Sequence, residues 1–425
     1  MDATPWRDVL VTRFSALRHR NFRLYVGGQI ISLTGTWMQT VAQGWLMHRL
    51  TDSAFWLGLL GFTQFLPVML LSLWAGAVID RMDKRRLLCL TQGAFLLQAT
   101  LLALVVTTGV VRPWMVLALA GVFGMVNAFD MPTRHSFVVE MTSREDIGNA
   151  IAINSAVFNS ARIVGPAVAG ILLATVGEGG CFWLNALSYV AVLVCLARMD
   201  LPRREFCRRG ASLGAGLAEG VRYAWRTRAL RNLLLLLGIT AGIGFQYQLL
   251  LPVYARVVLH AGPKVYGLLL TAFGAGALVG ALRLTGRPGR PGLRFNLMLG
   301  LGACAVGLGV FAWSRLIPLS LVAGALAGFG LIVYVGSTNT LLQLTTDDRY
   351  RGRVMSLYTL MFSGTTPIGA LMAGAIAQRW NAPIATTVSA AFMLLGAVLV
   401  AWRFAPLTRT PPGRVAEPPP VERLD

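Results

Sequence analysis

The sequence predicts an all-α membrane protein with twelve transmembrane helices in two six-helix halves. Three observations carry that expectation. The 425-residue chain is 55% hydrophobic and only 13% charged, with a mean hydropathy of +0.62, whereas a soluble chain carries about 25% charged residues. Apolar runs long enough to cross a bilayer recur twelve times along it. The basic residues fall in short clusters between those runs, so the net charge of +20 reads as basic loops beside a membrane rather than a nucleic-acid-binding domain. The same composition excludes an ordinary soluble enzyme and a disordered chain.

The expected spans are 23–47, 55–79, 87–109, 113–130, 148–175, 181–198, 231–254, 265–284, 295–313, 316–339, 353–377 and 382–403. Residues 1–23 are polar and contain Arg, and the run after them is long enough to span, so they are not a cleaved signal peptide. The fourth span is ended at 130 because Asp130 to Asp146 is polar and broken by Pro132. With the N-terminus in the cytoplasm, 31 of the 38 Lys and Arg lie inside, Arg134 counted in the 4–5 connection. Six lie outside (Arg49, Arg112, Arg256, Lys264, Arg315, Arg379), and Arg162 lies within a span. That bias places both termini in the cytoplasm and the chain in a bacterial inner membrane.

Residues 1–198 form the first bundle on this reading and 231–404 the second. The linker 199–230 carries Leu213, Leu217, Val221 and Trp225 on one helical face, as an interfacial amphipathic helix would. The Pro-rich residues 405–425 are expected to be a disordered tail. A weak internal repeat supports the division. GPAVAG at 165–170 falls over IGALMAG at 368–374 with an offset of 204, pairing Gly170 with Gly374, and Gly35-x-x-x-Gln39 falls over Gly242-x-x-x-Gln246 with an offset of 207. A duplicated half is the architecture of a rocking transporter whose cavity lies between the halves near the midplane.

Two motifs point to moving parts. After the second span comes Gly76-x-x-x-Asp80-Arg81-x-Asp83-Lys84-Arg85-Arg86. A small Gly permits close helix approach, and Asp80 at the membrane edge can pair with Arg81, Arg85 or a helix N-terminus, so the cluster reads as a latch that gates one side. In the fifth span, Gly165-Pro166-Ala-Val-Ala-Gly170 combines a helix-kinking Pro with small residues. The loop motif resembles the signature of the major facilitator superfamily, with Asp83 in place of its second Gly. Gly165-Pro166 is similar to the fifth-helix signature of the superfamily's antiporters, with Ala169 in place of one Gly, and implies export. The block from Asp130 to Met141 and the segment from Asn149 to Pro166 resemble the branch that contains enterobactin exporters and macrolide efflux pumps. The fourth span departs from many drug–proton antiporters in lacking an intramembrane Arg.

Charges inside a membrane are costly, which makes each one a functional candidate. Asp130 and Glu140, near the inner mouth, are the proton-coupling candidates. Arg162 lies roughly 20 Å into the fifth span. It either binds an anionic or phenolic substrate group or an acid, or serves as a hydrogen-bond hub to helix carbonyls. In the first span, Gln29, Ser32, Thr36, Gln39, Thr40 and Gln43 share one face, which is expected to line the cavity. Gln39, Gln43, Asn154, Asn159, Arg162, Gln246, Tyr334 and Tyr358 are the substrate-binding candidates. The four His and five Cys are isolated, and no phosphate-cradling loop or catalytic constellation is visible, so no metal, cofactor, ATP-driven step or enzymatic activity is expected. The expected partners are a small-molecule substrate, protons and the lipid bilayer, with no nucleic acid, for a chain acting as a monomer. The function expected is proton-coupled export of a small siderophore-like or drug-like compound. The rival readings are a facilitator, importer or lipid flippase of the same fold, or a non-transporting sensor.

Overall fold

A computed structural model describes residues 15–79, 81–200, 213–284 and 290–403, which are almost entirely helical. Asp80 and the expected tail from 405 lie outside the described residues. The first half comprises α1 (Arg20–Thr51), α2 (Ala54–Ile79), α3 (Lys84–Thr107), α4 (Pro113–Val138), α5 (Ile147–Thr175) and α6 (Gly177–Ala197). A short helix, α7 (Leu213–Arg226), precedes the second half. That half comprises the spans α8 (Arg228–Val258), α9 (Pro263–Arg283), α10 (Arg290–Trp313), α11 (Ile317–Thr345), α12 (Arg351–Arg379) and α13 (Ala382–Arg403).

Eleven of these helices are long and apolar enough to cross a membrane among the described residues, making the chain a multi-pass membrane protein. The exception is α1. At 32 residues it has ample length, about 48 Å at 1.5 Å per residue, but its polar stripe lowers its hydropathy. It packs inside the same bundle against α5 and α6.

The two halves repeat one packing order. In the first, α2 packs on α4, and α3 on α4 and α6; in the second, α9 packs on α11, and α10 on α11 and α13. The halves meet where α2 crosses α12 and where α5 crosses α9. Each crossing is centred on a glycine pair. A Cβ added at Gly374 meets the Gly58 Cα at 2.7 Å, and one added at Gly267 meets the Gly170 Cα at 2.6 Å, so no side chain fits at either position without separating the helices.

Local chemistry shapes the helices around these crossings. The helix α4 runs eight residues beyond the expected end at 130, because Pro132 is accommodated within it. Thr133 donates to the Phe129 carbonyl, and Ser136 donates to the Pro132 carbonyl at 2.8 Å, as hydroxyls do in membrane helices near Pro. Arg134 therefore lies in α4 rather than in a loop, and the fourth helix does carry a buried Arg. In α8, the Gly-rich stretch Thr240–Gly244 is a π-turn and Gln246–Leu250 a 3-10 turn. In α12, the helix is interrupted between Gly364 and Thr366, just before Pro367. Pro, Gly and π-turns are the usual causes of such irregularities.

The helix α7 docks on the basic end of α12. Tyr223 stacks on Tyr350 at 4.2 Å, Arg353 pairs with Glu219 at 2.7 Å, and the Tyr223 hydroxyl donates to Asp347. Val221 and Trp225 of the same helix are exposed.

Candidate functional site

The loops carrying Arg81, Lys84, Arg85, Arg144 and Arg349 define a basic end of the molecule. At the opposite end the halves are shut. Beyond the glycine pairs, Trp45 stacks on Tyr266 at 5.9 Å, Arg256 pairs with Asp52 at 2.9 Å, and Ser53 donates to Gln378 at 2.9 Å. Every one of these contacts joins the first half to the second.

Toward the basic end the same helices separate. Contact between the halves continues through Ile163 against Gly274 and Met69 against Gly364. Past those points α5 is exposed around most of its circumference, at Ile151, Ala152, Ser155, Ala156, Phe158, Asn159 and Ser160. A helix packed in a bundle cannot present its whole circumference to lipid, so one of those faces lines a cleft between the halves. In the second half, Ser356 and Thr359 of α12 and Gln343 of α11 are exposed as well. Several exposed polar groups at this depth are better accommodated beside water than beside lipid, although Ser356, Thr359 and Asn159 also bond their own helix carbonyls. The cleft is thus open at the basic end and closed at the other.

Asn159 is exposed, and its amide returns to the Ser155 carbonyl at 2.8 Å. Asn154 and Tyr358 are half-buried, and Tyr358 stacks on Phe362. Arg162 is half-buried on α5 and makes no hydrogen bond or ion pair among the described residues, which removes the carbonyl-hub reading. Gly165 lies beneath Trp37 of α1, and Pro166 sits beside Gly267 at the crossing.

Four expected substrate residues are not in the cleft. Gln39 is buried inside the first half, donating to Gln98 at 3.1 Å and accepting from Asn185 at 2.8 Å. Gln43 donates to the Val116 carbonyl, and Thr36 pairs with Tyr189. The α1 stripe therefore faces the core of its own bundle, where it joins helices by hydrogen bonds. Gln246 caps the π-turn by donating to the Ala241 carbonyl, and the Tyr334 hydroxyl meets Thr240 at 3.0 Å inside the second half.

Asp130 is also buried within the first bundle, not at a mouth. It accepts from Thr91 and Gln92, each at 2.7 Å, and pairs with Arg134, which also donates to Gln29. Sequence reasoning missed this partner because the span was ended at 130; the i,i+4 spacing of Asp130 and Arg134 was the available signal. Glu140 pairs with Lys84 at 2.7 Å, joining the start of α3 to the 4–5 connection.

Among the described residues, Arg81 and Arg85 of the expected latch make no hydrogen bond or ion pair with the second half. Arg85 donates to the Ala197 carbonyl of α6, Arg81 is exposed, and a Cβ at Gly76 would meet nothing within 4 Å. Close packing at Gly76 is therefore absent in this open-ended arrangement. Asp83, the departure from the loop signature, caps α3 by accepting from the Arg86 amide at 2.8 Å. The Asp52–Arg256 pair went unforeseen because its residues, about two hundred positions apart, carry no shared local pattern.

Two bundles of like packing around a cleft closed at one end define a membrane transporter. The chain matches, over residues 11–412, the major facilitator family described as a transmembrane secretion effector, and it belongs to that family. It is 26% identical to the multidrug efflux pump Tap of Mycolicibacterium fortuitum over 86% of this chain and 91% of that one. It is also 26% identical to the staphyloferrin A transporter of Staphylococcus aureus, over 62% of this chain and 66% of that one. Among solved structures it resembles a bacterial homologue of the iron transporter ferroportin in an inward-facing state, with a TM-score of 0.70 and 16% identity over 90% of this chain and 98% of that one. It also resembles the nucleoside transporter NupG, with a TM-score of 0.67 and 13% identity over 93% and 100%. These likenesses concern the fold alone.

Proposed function

We propose that this transporter exports a small organic compound, of siderophore or drug-like type, in exchange for protons across the inner membrane. Both termini lie in the cytoplasm on this reading, so the cleft is open inward. The observation that carries it is the one-ended cleft, polar at its mouth and shut at the far end by two glycine crossings. A compound enters from the basic side, and separation at Gly58–Gly374 and Gly170–Gly267 releases it on the other. The efflux pump and siderophore transporter among the relatives support substrates of that size and chemistry.

Asp130 is the first candidate for the exchanging carboxyl. Its partners Thr91, Gln92 and Arg134 come from α3 and α4, so a change in bundle packing alters how well its charge is compensated and hence its proton affinity. Glu140, held by Lys84 at the basic end, is the second. The test is efflux of a panel of cationic, anionic and neutral fluorescent dyes from a bacterial host lacking its own pumps. Expression of the chain speeds loss of at least one class of dye, a protonophore stops it, and Asp130→Asn made at wild-type level loses the pH-gradient dependence. If no dye leaves faster, the export assignment is wrong. If Asp130→Asn and Glu140→Gln each keep full gradient-driven efflux, the coupling assignment is wrong.

A further inference from the structure

We infer that Arg162 is an anion-binding group at the closed end of the cleft, and that the transported compound is an aromatic organic anion. The inference rests on the reading of the cleft as the substrate path and specifies the chemistry of what enters it.

Arg162 lies about 20 Å from the α5 end at Thr175, and slightly farther from the start at Ile147, which is mid-depth. A charge there is costly unless it is paired. Among the described residues no acid pairs with it. Asp130 is committed to Arg134, Asp52 to Arg256 and Glu178 to Arg49. The acids of the second half, Asp347 and Asp348, lie at the basic end, where Asp348 pairs with Arg351. Nor does Arg162 use its own helix: the missing N–H of Pro166 leaves the Arg162 carbonyl without its usual helical donor, yet the guanidinium makes no hydrogen bond of its own. None of its nitrogens is among the sealed atoms that lack a partner, so they remain reachable. A reachable, mid-depth cation without a counter-charge is complementary to a ligand that brings one.

The surroundings are aromatic. Phe158, one turn before Arg162 on α5, is exposed and packs edge-on to Trp37 at 6.1 Å. On the facing half, Tyr247 of α8 stacks on Phe273 at 4.7 Å. Its hydroxyl is sealed inside the second half, so Arg162 is the polar group that remains reachable. A reachable cation one turn from an exposed ring suits a flat molecule with a carboxylate, sulfonate or phenolate.

The test uses the full chain in lipid nanodiscs and two fluorescent probes that differ only in charge: 1-anilinonaphthalene-8-sulfonate and its neutral parent N-phenyl-1-naphthylamine. Signal from empty nanodiscs is subtracted. The wild type is expected to hold the sulfonate at least about tenfold more tightly than the neutral probe, the factor made by one modest ion pair. Arg162→Gln loses that preference while still binding the neutral probe, which shows that it is folded; Arg162→Lys keeps most of it. A preference that persists in Arg162→Gln, or is missing in the wild type, overturns the proposal. So does its abolition when gluconate in the buffer is replaced by chloride, which would mark a site for a small inorganic ion. Because binding is read without a gradient, this can fail while dye export stands, and the reverse.

Discussion

The two halves share a packing order but fill their interiors with opposite chemistry. The first is held by a buried ion pair, Asp130 with Arg134, and by an amide chain from Gln98 through Gln39 to Asn185. The second buries no charged side chain among its described residues. Its polar interior is hydroxyls and a few amides, such as Thr240 with Tyr334 and Ser389 with the Ile243 carbonyl. The backbone follows the same division. The first helix of the first half is unbroken for 32 residues, whereas the first of the second half passes through π and 3-10 turns, and α12 is interrupted at its middle. Directional electrostatics fix one bundle; the other tolerates local bending. The buried carboxyl thus lies in the half whose first helix is unbroken, and the π-turn and the α12 interruption lie in the other.

The largest effect that would sharpen this contrast comes from Asp130→Asn. It strands the Arg134 charge in the core, and removing one member of a buried pair costs about 3–5 kcal/mol. Thermal unfolding in detergent should fall sharply, and adding Arg134→Gln should restore most of the loss. If the double variant is no better than the single, the pair is not what stiffens this half. Next comes Thr240→Val in the second half, which takes the partner from the buried Tyr334 hydroxyl at a cost of about 1–3 kcal/mol. A loss as large as that of Asp130→Asn would erase the distinction between the halves.

Smaller again is Arg256→Gln, which removes a solvent-exposed pair with Asp52 worth about 0.2–1 kcal/mol. It should leave unfolding nearly unchanged while raising access of a thiol reagent to a cysteine placed at Ser53. The smallest effect concerns the connection before α5. Hydrogen bonds from Ser15 and then His19 hold the Asp146 carboxyl below its usual 3.8. Stability from a lowered carboxyl is complete above that ordinary value and is lost as pH falls through the depressed one. Hydrogen exchange over residues 15–20 should therefore quicken, relative to the intrinsic rate, only below about 3.8. In Asp146→Asn the protection should lose this pH dependence.

Hydropathy made most of the spans legible, because a bilayer demands the same apolar length wherever a helix crosses. The facing of α1 was not legible. A polar stripe shows only that one side of a helix avoids lipid, and in a six-helix bundle that side can meet either the cleft or the bundle core. Gln39 and Gln43 took the core. Arg134 was hidden by Pro132, which ends helices in water but is absorbed in a membrane helix when neighbouring hydroxyls bond the carbonyls. The offset of 204 that paired Gly170 with Gly374 carried more than similarity, since each forms its own crossing with the opposite half. Their mates, Gly267 and Gly58, are recognisable only once the helices are placed in space.

The account depends on the halves moving as bodies about those crossings, and a wedge tests it without any ligand. Gly374→Leu forces a side chain against Gly58. Spin labels at Ile151 and Ser356 report the basic end, and labels at Thr175 and Lys264 the opposite end, in a background lacking the five native cysteines. Relative to the unwedged protein, the wedge should lengthen the Thr175–Lys264 distance and shorten the Ile151–Ser356 distance. Lengthening at the far end with no change at the basic end would contradict rocking and leave local helix bending in its place.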